Sequence, residues 1–230
     1  MKRFTEGCEL HPAAAHIYWR HPFTDKDKTK LFLDSSNYNS TDQRFIDLYN
    51  EYSEREELNR ISMLDIKHFF VDDLLVKNDR MYMANSIETR FPFMDRYLVE
   101  YLNKIPSNLR LKRMRGRNIQ KNAMQNSLPK EILARNNYGL EMPHSIWFLD
   151  KFLSFAKKYL NKETVEKSGL LSWPEVDRVW REHLGKKRDH GRGLWCIIMF
   201  LVWYEMYIDK GNYKSYLVKN SFTEYYFEKI

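Results

Sequence analysis

The chain has 230 residues, of which 43% are hydrophobic and 15% aromatic, a composition that excludes an intrinsically disordered protein. Its net charge of +7 favours anionic partners such as phosphates, an acidic protein face or nucleic acid, without choosing among them. The two cysteines, Cys8 and Cys196, have neither disulfide nor metal spacing, which excludes a disulfide-stapled protein and favours the reducing cytoplasm.

No segment of the sequence predicts a membrane protein. Residues 1–15 lack the continuous apolar core of a signal peptide. The most apolar run, residues 194–204, is shorter than the ~20 residues that a membrane-spanning helix needs. We therefore expect a cytoplasmic chain without a membrane partner. At this length one domain is the first expectation, and two remain open.

The first 60 residues predict short helices separated by polar turns. Residues 12–20 form one such helix, and Thr24 with Asp27 three residues later predicts a capped helix start. Residues 34–41 are rich in Ser, Asn and Asp and predict a loop. The helix after this loop should turn four apolar side chains inward, those of Phe45, Ile46, Leu48 and Tyr49.

The central region begins with a helix predicted over residues 71–84. Its apolar positions recur at steps of three and four residues, so one face should be mostly buried. That face carries Val71, Leu74, Leu75, Asn78, Met81 and Tyr82. The helix should end near Ser86, and Phe91 should be extended because it precedes Pro92.

Five charged residues mark this region: Asp73, Lys77, Arg80, Glu88 and Arg90. One interpretation is a helix and a turn held by solvated surface ion pairs, which is the common outcome for a charge-rich face. The other is convergence of all five on one partly buried pocket. We predict convergence, because charges this dense among Met and Phe need partners when they are buried.

The segment after the central region alternates basic and apolar residues. Asp95 is a predicted helix cap, and the alternation over residues 108–114 predicts a short extended piece. The basic residues of 110–121 fit either a solvated face or a surface for phosphate or nucleic acid. Pro129 then opens another helix.

The last third of the sequence predicts packed helices. Residues 145–160 carry an aromatic stripe at helical spacing, which indicates core packing. Gly169 fits a helix stop, and Ser172 with Glu175 fits a capping box at the next helix start. Residues 194–204 predict a helix buried on most sides.

Four segments resemble the asparagine synthetase family. Residues 72–81 read DDLLVKNDRM and residues 86–95 read SIETRFPFMD, similar to the Lys-x-Asp-Arg and Ser-x-Glu-x-Arg-x-Pro-Phe-x-Asp patterns of the family's synthetase domain. Residues 128–135 (LPKEILAR) and 188–195 (RDHGRGLW) are similar to two later family segments. His190 in the last segment is, by itself, more often structural or solvated than catalytic.

The resemblance covers roughly residues 61–203 and implies an amidotransferase that uses ATP and Mg²⁺. In this family the aspartate side chain is adenylated and then attacked by ammonia derived from glutamine. The resemblance makes Lys77, Glu88 and Arg90 the candidate catalytic contacts. The candidate nucleotide contacts are Asp73, Lys77, Arg80, Arg135 and Asn137, and no metal ligand is predicted in the chain.

Three departures from the family lead us to predict that this chain alone is inactive. Asn137 replaces a lysine that the family places near the phosphates, so a positive charge is missing there. The family's phosphate-gripping Ser-Gly-Gly-x-Asp-Ser loop is absent from the 230 residues, and so is its acidic Gly-rich loop. The nucleophilic cysteine of the glutaminase domain is absent too. We therefore expect no tight binding of ATP or Mg²⁺ to this chain alone.

The expected fold is mainly α, with little or no sheet: the helical C-terminal part of the family's ATP-pyrophosphatase domain, which is adenine nucleotide α-hydrolase-like. We expect weakly matching helices over 1–60, the family domain over 61–209 and a tail over 210–230. The expected partner is a chain or segment that carries the nucleotide-binding sheet, or a second copy of this chain. The alternative is a non-catalytic remnant or protein-binding module of the same fold, and nucleic-acid binding is the least favoured function.

Overall fold

The described part of the chain is mainly helical. A computed structural model describes residues 2–36, 40–111, 116–136, 139 and 142–209. Every regular element among these residues is a helix, and the β-type contact found there is an isolated bridge between Phe32 and Leu171. The predicted mainly α fold with little or no sheet is therefore confirmed. In the same residues no helix combines the length and apolarity needed to cross a membrane.

The helices are short, and one long helical run changes type along its length. Those of the first half are α1 (Lys2–Cys8), α2 (Pro12–Arg20), α3 (Asp25–Leu31), α4 (Thr41–Asn50), α5 (Glu57–Leu64), the π-helix π1 (Asp65–Leu75), α6 (Val76–Met83), the 3₁₀ turn Pro92–Met94, α7 (Arg96–Leu102) and α8 (Ser107–Arg110). Those of the second half are α9 (Asn118–Ala123), α10 (Lys130–Ala134), α11 (His144–Trp147), α12 (Leu153–Tyr159), α13 (Lys162–Lys167), α14 (Trp173–Leu184), α15 (Gly191–Tyr204) and the π-helix π2 (Glu205–Asp209).

Residue contacts divide the chain into two units. The first contains Met1–Arg20 and Asn39–Gly139, and the second contains His21–Tyr38 and Leu140–Ile230. The first unit has a small core in which Leu48 and Tyr49 of α4 are buried, as predicted. Phe45 and Ile46 pack against this core and are partly buried. The domain boundaries predicted after residues 60 and 209 stay predictions.

The second unit has the larger core, centred on α15. Leu194 and Ile198 of this helix are fully buried, as are Phe148 and Val165 from elements packed around it. The prediction of a helix buried on most sides over residues 194–204 is confirmed, although Cys196 and Trp203 are exposed.

Three predicted caps can be compared with the helix starts. The capping box at α3 is confirmed, since the Asp27 backbone N–H donates to Thr24 Oγ1 and the Thr24 N–H donates to the Asp27 carboxylate. The cap at α7 is confirmed by the Leu98 N–H, which donates to Asp95 Oδ1 at 2.9 Å. The predicted capping box at α14 is wrong, because the Ser172 side chain makes no capping hydrogen bond there.

Tertiary contacts override two predicted elements. Residues 108–110 are predicted to be extended but belong to α8. Hydrogen bonds to Glu56, Asn59 and Ser62, at and within α5, hold this helix in place. Leu111 is extended, and residues 112–114 lie outside the described part. The helix predicted over residues 145–160 is divided into α11 and α12 by a turn, in which the Phe152 N–H donates to the Trp147 carbonyl at 2.8 Å.

The central helix is present, but its predicted buried face is not. Leu74 and Leu75 are half-buried, whereas Val71, Met81 and Tyr82 are exposed by 45%, 65% and 43%. The prediction assumed one 3.6-residue period, but π1 continues to Leu75 and follows a wider turn. Apolar residues on the two sides of residue 75 therefore do not share one face. Among the described elements, α6 is in extensive contact only with π1, which precedes it in the same helical run.

Candidate functional site

The candidate site begins on α6, in the first unit. Lys77 and Arg80 lie three residues apart on this helix and are therefore neighbours on its surface. Both side chains are exposed, and so is Asp73 near the end of π1. An exposed ammonium group beside an exposed guanidinium group is suited to binding phosphate or carboxylate oxygens.

A tight turn ends α6 and redirects the chain. The Asn85 side-chain amide donates to the Met81 carbonyl at 2.9 Å, and the Ile87 N–H donates to the Tyr82 carbonyl at 3.0 Å. Ser86 has a φ of +56°, a left-handed conformation that ends a helix. The prediction that the helix ends near Ser86 is confirmed.

An extended segment follows the turn and carries the next two charges. Glu88 and Arg90 form an ion pair with each other, and their side chains are 69% and 81% exposed. Phe91 is extended, with φ −116° and ψ 93°, as predicted for a residue before Pro92. The backbone then makes one 3₁₀ turn before Asp95 caps α7.

The five charged residues do not form the partly buried pocket that the sequence predicted. All five side chains are exposed, and the ion pair between Glu88 and Arg90 is the contact that brings two of them together. The burial prediction is wrong because the Met and Phe residues around these charges are themselves at the surface. Whether the five residues bind a ligand stays a prediction.

Apolar side chains surround these charges and are also exposed. Each of the following is more than a third exposed: Met81, Met83, Ile87, Phe91, Phe93 and Tyr97. Single exposed apolar residues are ordinary, but several along 17 consecutive residues are typical of a surface that contacts another molecule or segment.

The remaining two predicted contacts lie further along the chain. The Arg135 side chain is exposed, and its backbone carbonyl accepts a hydrogen bond from Lys121 Nζ at 3.1 Å. Asn137 lies outside the described residues. In the described part of the chain, no group of three or more His, Cys, Asp and Glu side chains is arranged to hold a metal ion.

The scaffold below the site depends on a carboxylate that sequence reasoning missed. Asp65, the first residue of π1, accepts a hydrogen bond from His16 Nε2 at 2.7 Å and pairs with Arg20, both on α2. Burial alone would raise the pKa of Asp65, but the His16 hydrogen bond and the Arg20 charge outweigh it and lower this pKa. This contact fixes π1, and with it the start of the site, to α2.

A second contact, also missed, holds α8 against α5. Arg110 donates to Asn59, which is buried, and its Nη2 donates to Ser62 Oγ at 3.0 Å. The Ser107 N–H donates to the Glu56 carboxylate at 2.8 Å and lowers the pKa of that carboxyl. About 50 residues separate the partners, so no local pattern indicates them.

Comparison with known proteins identifies relatives. The family model described as asparagine synthase matches residues 6–205. Asparagine synthetase 1 (glutamine-hydrolyzing) of Bacillus subtilis strain 168 is 25% identical over 162 residues, which are 70% of this chain and 25% of that protein. Asparagine synthetase 3 of the same strain is 38% identical over 90 residues, which are 39% of this chain and 14% of that protein.

A further relative is named as an amidase. Amidase chyE of Penicillium rubens is 29% identical over 123 residues, which are 50% of this chain and 18% of that protein. No solved structure matches the chain. The match thus spans about a quarter of the length of asparagine synthetase 1 of Bacillus subtilis.

Proposed function

Because the chain belongs to the asparagine synthase family, we propose that it forms part of an ATP-dependent amidotransferase that converts aspartate to asparagine. The observation that carries the proposal is the ordered segment from Asp73 to Arg90. Its helix presents two cationic side chains on one surface, and the extended piece after the turn carries an ion pair.

Four of the five charged residues have a role that their chemistry suits. Lys77 and Arg80 bind phosphate oxygens, since both are exposed cations on one surface of α6. Arg90 binds the carboxylate of the amino-acid substrate, and Glu88 orients the Arg90 guanidinium through their ion pair. ATP, with Mg²⁺ on its phosphates, would supply the activation of the aspartate carboxylate.

The residues of this chain would supply only part of a nucleotide site. The cations of α6 are present, but the 230 residues contain no Gly-rich loop whose N–H groups would surround the phosphates. We therefore propose that a second chain or segment carrying the nucleotide-binding sheet completes the site, and that self-association is the other way to cover this surface. The exposed apolar residues from Met81 to Tyr97 support such a covering partner. The cysteine usage supports the cytoplasm as the compartment.

The first experiment measures pyrophosphate binding to the full chain by calorimetry. We expect Lys77→Met to weaken binding by about tenfold, the loss of roughly 1.4 kcal/mol for one charge-assisted contact. Lys104→Met is the control, because it also removes an exposed lysine of the first unit but lies outside the family motifs at residues 72–81 and 86–95. Equal weakening by both variants would show only a general charge effect and would refute the assignment to α6.

The second experiment measures pyrophosphate release with ATP, Mg²⁺, aspartate and ammonia. We expect the isolated chain to give no aspartate-dependent release above the Lys77→Met variant. Clear release above that variant would show that the chain needs no partner to complete its site.

A non-catalytic role is the second candidate, and the residue at position 137 favours it. Asn137 is neutral where the family has a lysine. Under the catalytic proposal, Asn137→Lys should tighten pyrophosphate binding, because it restores a charge near the phosphates. Unchanged binding in Asn137→Lys, together with unchanged binding in Lys77→Met, would favour the non-catalytic role.

A further inference from the structure

In the second unit, three elements meet at the imidazole of His183. This residue lies on α14 and is only 3% exposed. Its Nε2 lies 3.1 Å from the carbonyl oxygen of Ser145 on α11, and its Nδ1 lies 3.2 Å from the backbone N–H of His190, at the start of α15. A carbonyl only accepts and an N–H only donates. Both bonds therefore form together only when His183 is neutral and carries its proton on Nε2.

A carboxylate lies next to the nitrogen that would take up a proton. Asp189 Oδ1 is 3.8 Å from His183 Nδ1. The same carboxylate accepts hydrogen bonds from Ser145 Oγ at 2.7 Å and from the Gly191 N–H at 2.9 Å. Asp189 thus ties α11 to the start of α15, and it is also the group towards which a protonated His183 would be attracted.

A second side-chain contact holds the same loop on α14. His190 Nε2 lies 2.7 Å from Glu182 Oε2, and the other oxygen of Glu182 accepts from Arg178 at 2.6 Å. The titratable and charged groups around His183 are therefore Asp189, His190, Glu182 and, beyond Glu182, Arg178, together with His144, which precedes Ser145 on α11. Its remaining neighbours include the rings of Phe148 and Trp180.

We propose that His183 and the Asp189–Gly191 loop form a pH-sensitive latch, which holds the start of α11 on the start of α15 while His183 is neutral and releases this contact when His183 is protonated. A proton on Nδ1 removes the acceptor of the His190 N–H. It also draws the Asp189 carboxylate away from Ser145. The Nε2–H bond to the Ser145 carbonyl survives protonation, so the bonds weakened are the one that the His190 N–H donates to Nδ1 and the one that Ser145 Oγ donates to Asp189.

The electrostatics set the direction and the pH range of the latch. Burial lowers the pKa of His183, although the Asp189 charge and the Ser145 carbonyl oppose this effect. A histidine whose folded-state pKa is depressed contributes stability above its ordinary pKa of about 6.5, and this contribution is lost as the pH falls from there through the folded-state pKa. The pKa values of Asp189 and Glu182 are lowered, so both carboxylates stay ionised over this range.

The test is amide hydrogen exchange of α11 in the full chain, corrected for the intrinsic rate, at pH 7.5 and pH 5.5. The opening equilibrium constant of α11 should rise by up to about tenfold between pH 7.5 and pH 5.5. This limit applies when the open state takes up one proton at His183 with the ordinary pKa of about 6.5 and the closed state takes up none. His183→Gln should abolish this pH dependence, because the glutamine amide can donate to the Ser145 carbonyl but does not titrate. His190→Gln should keep it.

Two results would overturn the proposal. In the first, the opening equilibrium of α11 still depends on pH in His183→Gln but no longer does so in His190→Gln. The pH dependence would then belong to the contact between His190 and Glu182. The other comes from nitrogen NMR of the unmodified chain, which needs no variant to fold. A His183 that is charged at pH 7.5, or that carries its proton on Nδ1, would contradict the hydrogen bonds on which the latch depends.

Discussion

Gly191, the first residue of α15, allows a close approach of α15 to Ser145 on α11. A Cβ placed on it would lie 2.6 Å from the backbone nitrogen of Ser145 and 2.8 Å from its Cα. These distances are roughly 0.7 Å shorter than a tight van der Waals contact, and backbone atoms cannot rotate away. We expect Gly191→Ala to destabilise the chain by about 2 kcal/mol, within the usual 1–3 kcal/mol cost of overpacking. Over a chain of this size that equals a fall of roughly 4–8 °C in Tm.

Urea unfolding followed by tryptophan fluorescence measures this effect, since five of the six tryptophans lie in residues 140–230. Gly139→Ala is the control, because nothing lies within 4 Å of a Cβ there, and we expect a change within about 0.5 kcal/mol. Gly193→Ala should fall between the two, since its Cβ would meet the ring of Phe23 at 2.8 Å and a ring can shift. A Gly191→Ala variant as stable as Gly139→Ala would refute the close packing of α15 on Ser145.

Two further predictions concern the caps and ion pairs. Thr24→Ala should cost about 1 kcal/mol in urea unfolding, because it removes the acceptor of the Asp27 N–H, whereas Thr24→Ser should stay near the original stability; equal losses in both would contradict the capping role. Asp65→Asn should cost about 1 kcal/mol at pH 7, since its pairs with His16 and Arg20 are partly solvated. A carboxylate with a lowered pKa adds to the free energy of unfolding above its ordinary pKa of 3.8, and this stabilisation is lost as the pH falls through its folded-state pKa. The stability difference between the original chain and Asp65→Asn should therefore shrink by pH 3. A difference that stays constant with pH would argue against the pairing of Asp65 with His16 and Arg20.

Interactions between residues close in sequence could be predicted, and those between distant residues could not. The capping box of α3 joins residues three apart, and the extended Phe91 follows from its neighbour Pro92, so both are visible in the sequence. The bond of His183 to Ser145 spans 38 residues, and that of His16 to Asp65 spans 49. No local pattern indicates such pairs.

Burial at the candidate site was mispredicted for a related physical reason. A helical period indicates which residues share a face, but not whether another element covers that face. The charged residues of α6 and of the extended segment are recognisable by their motif. Their exposure depends on what packs against Met81 and the apolar residues after it, and the sequence of α6 carries no such information.

The π-helix below the site has a consequence for insertions and deletions. Residues 65–75 form π1 within a helical run that is otherwise α from Glu57 to Met83. Each residue of an α-helix turns the chain by about 100°. The backbone hydrogen bonds of a π-helix join residues five apart instead of four, so each turn contains an extra residue. Deleting one residue within π1 would therefore rotate α6 by roughly 100° about the helix axis relative to α5. Lys77 and Arg80 would rotate with it. A change of one residue in length at π1 can therefore redirect the charged surface of α6 without replacing any of its residues.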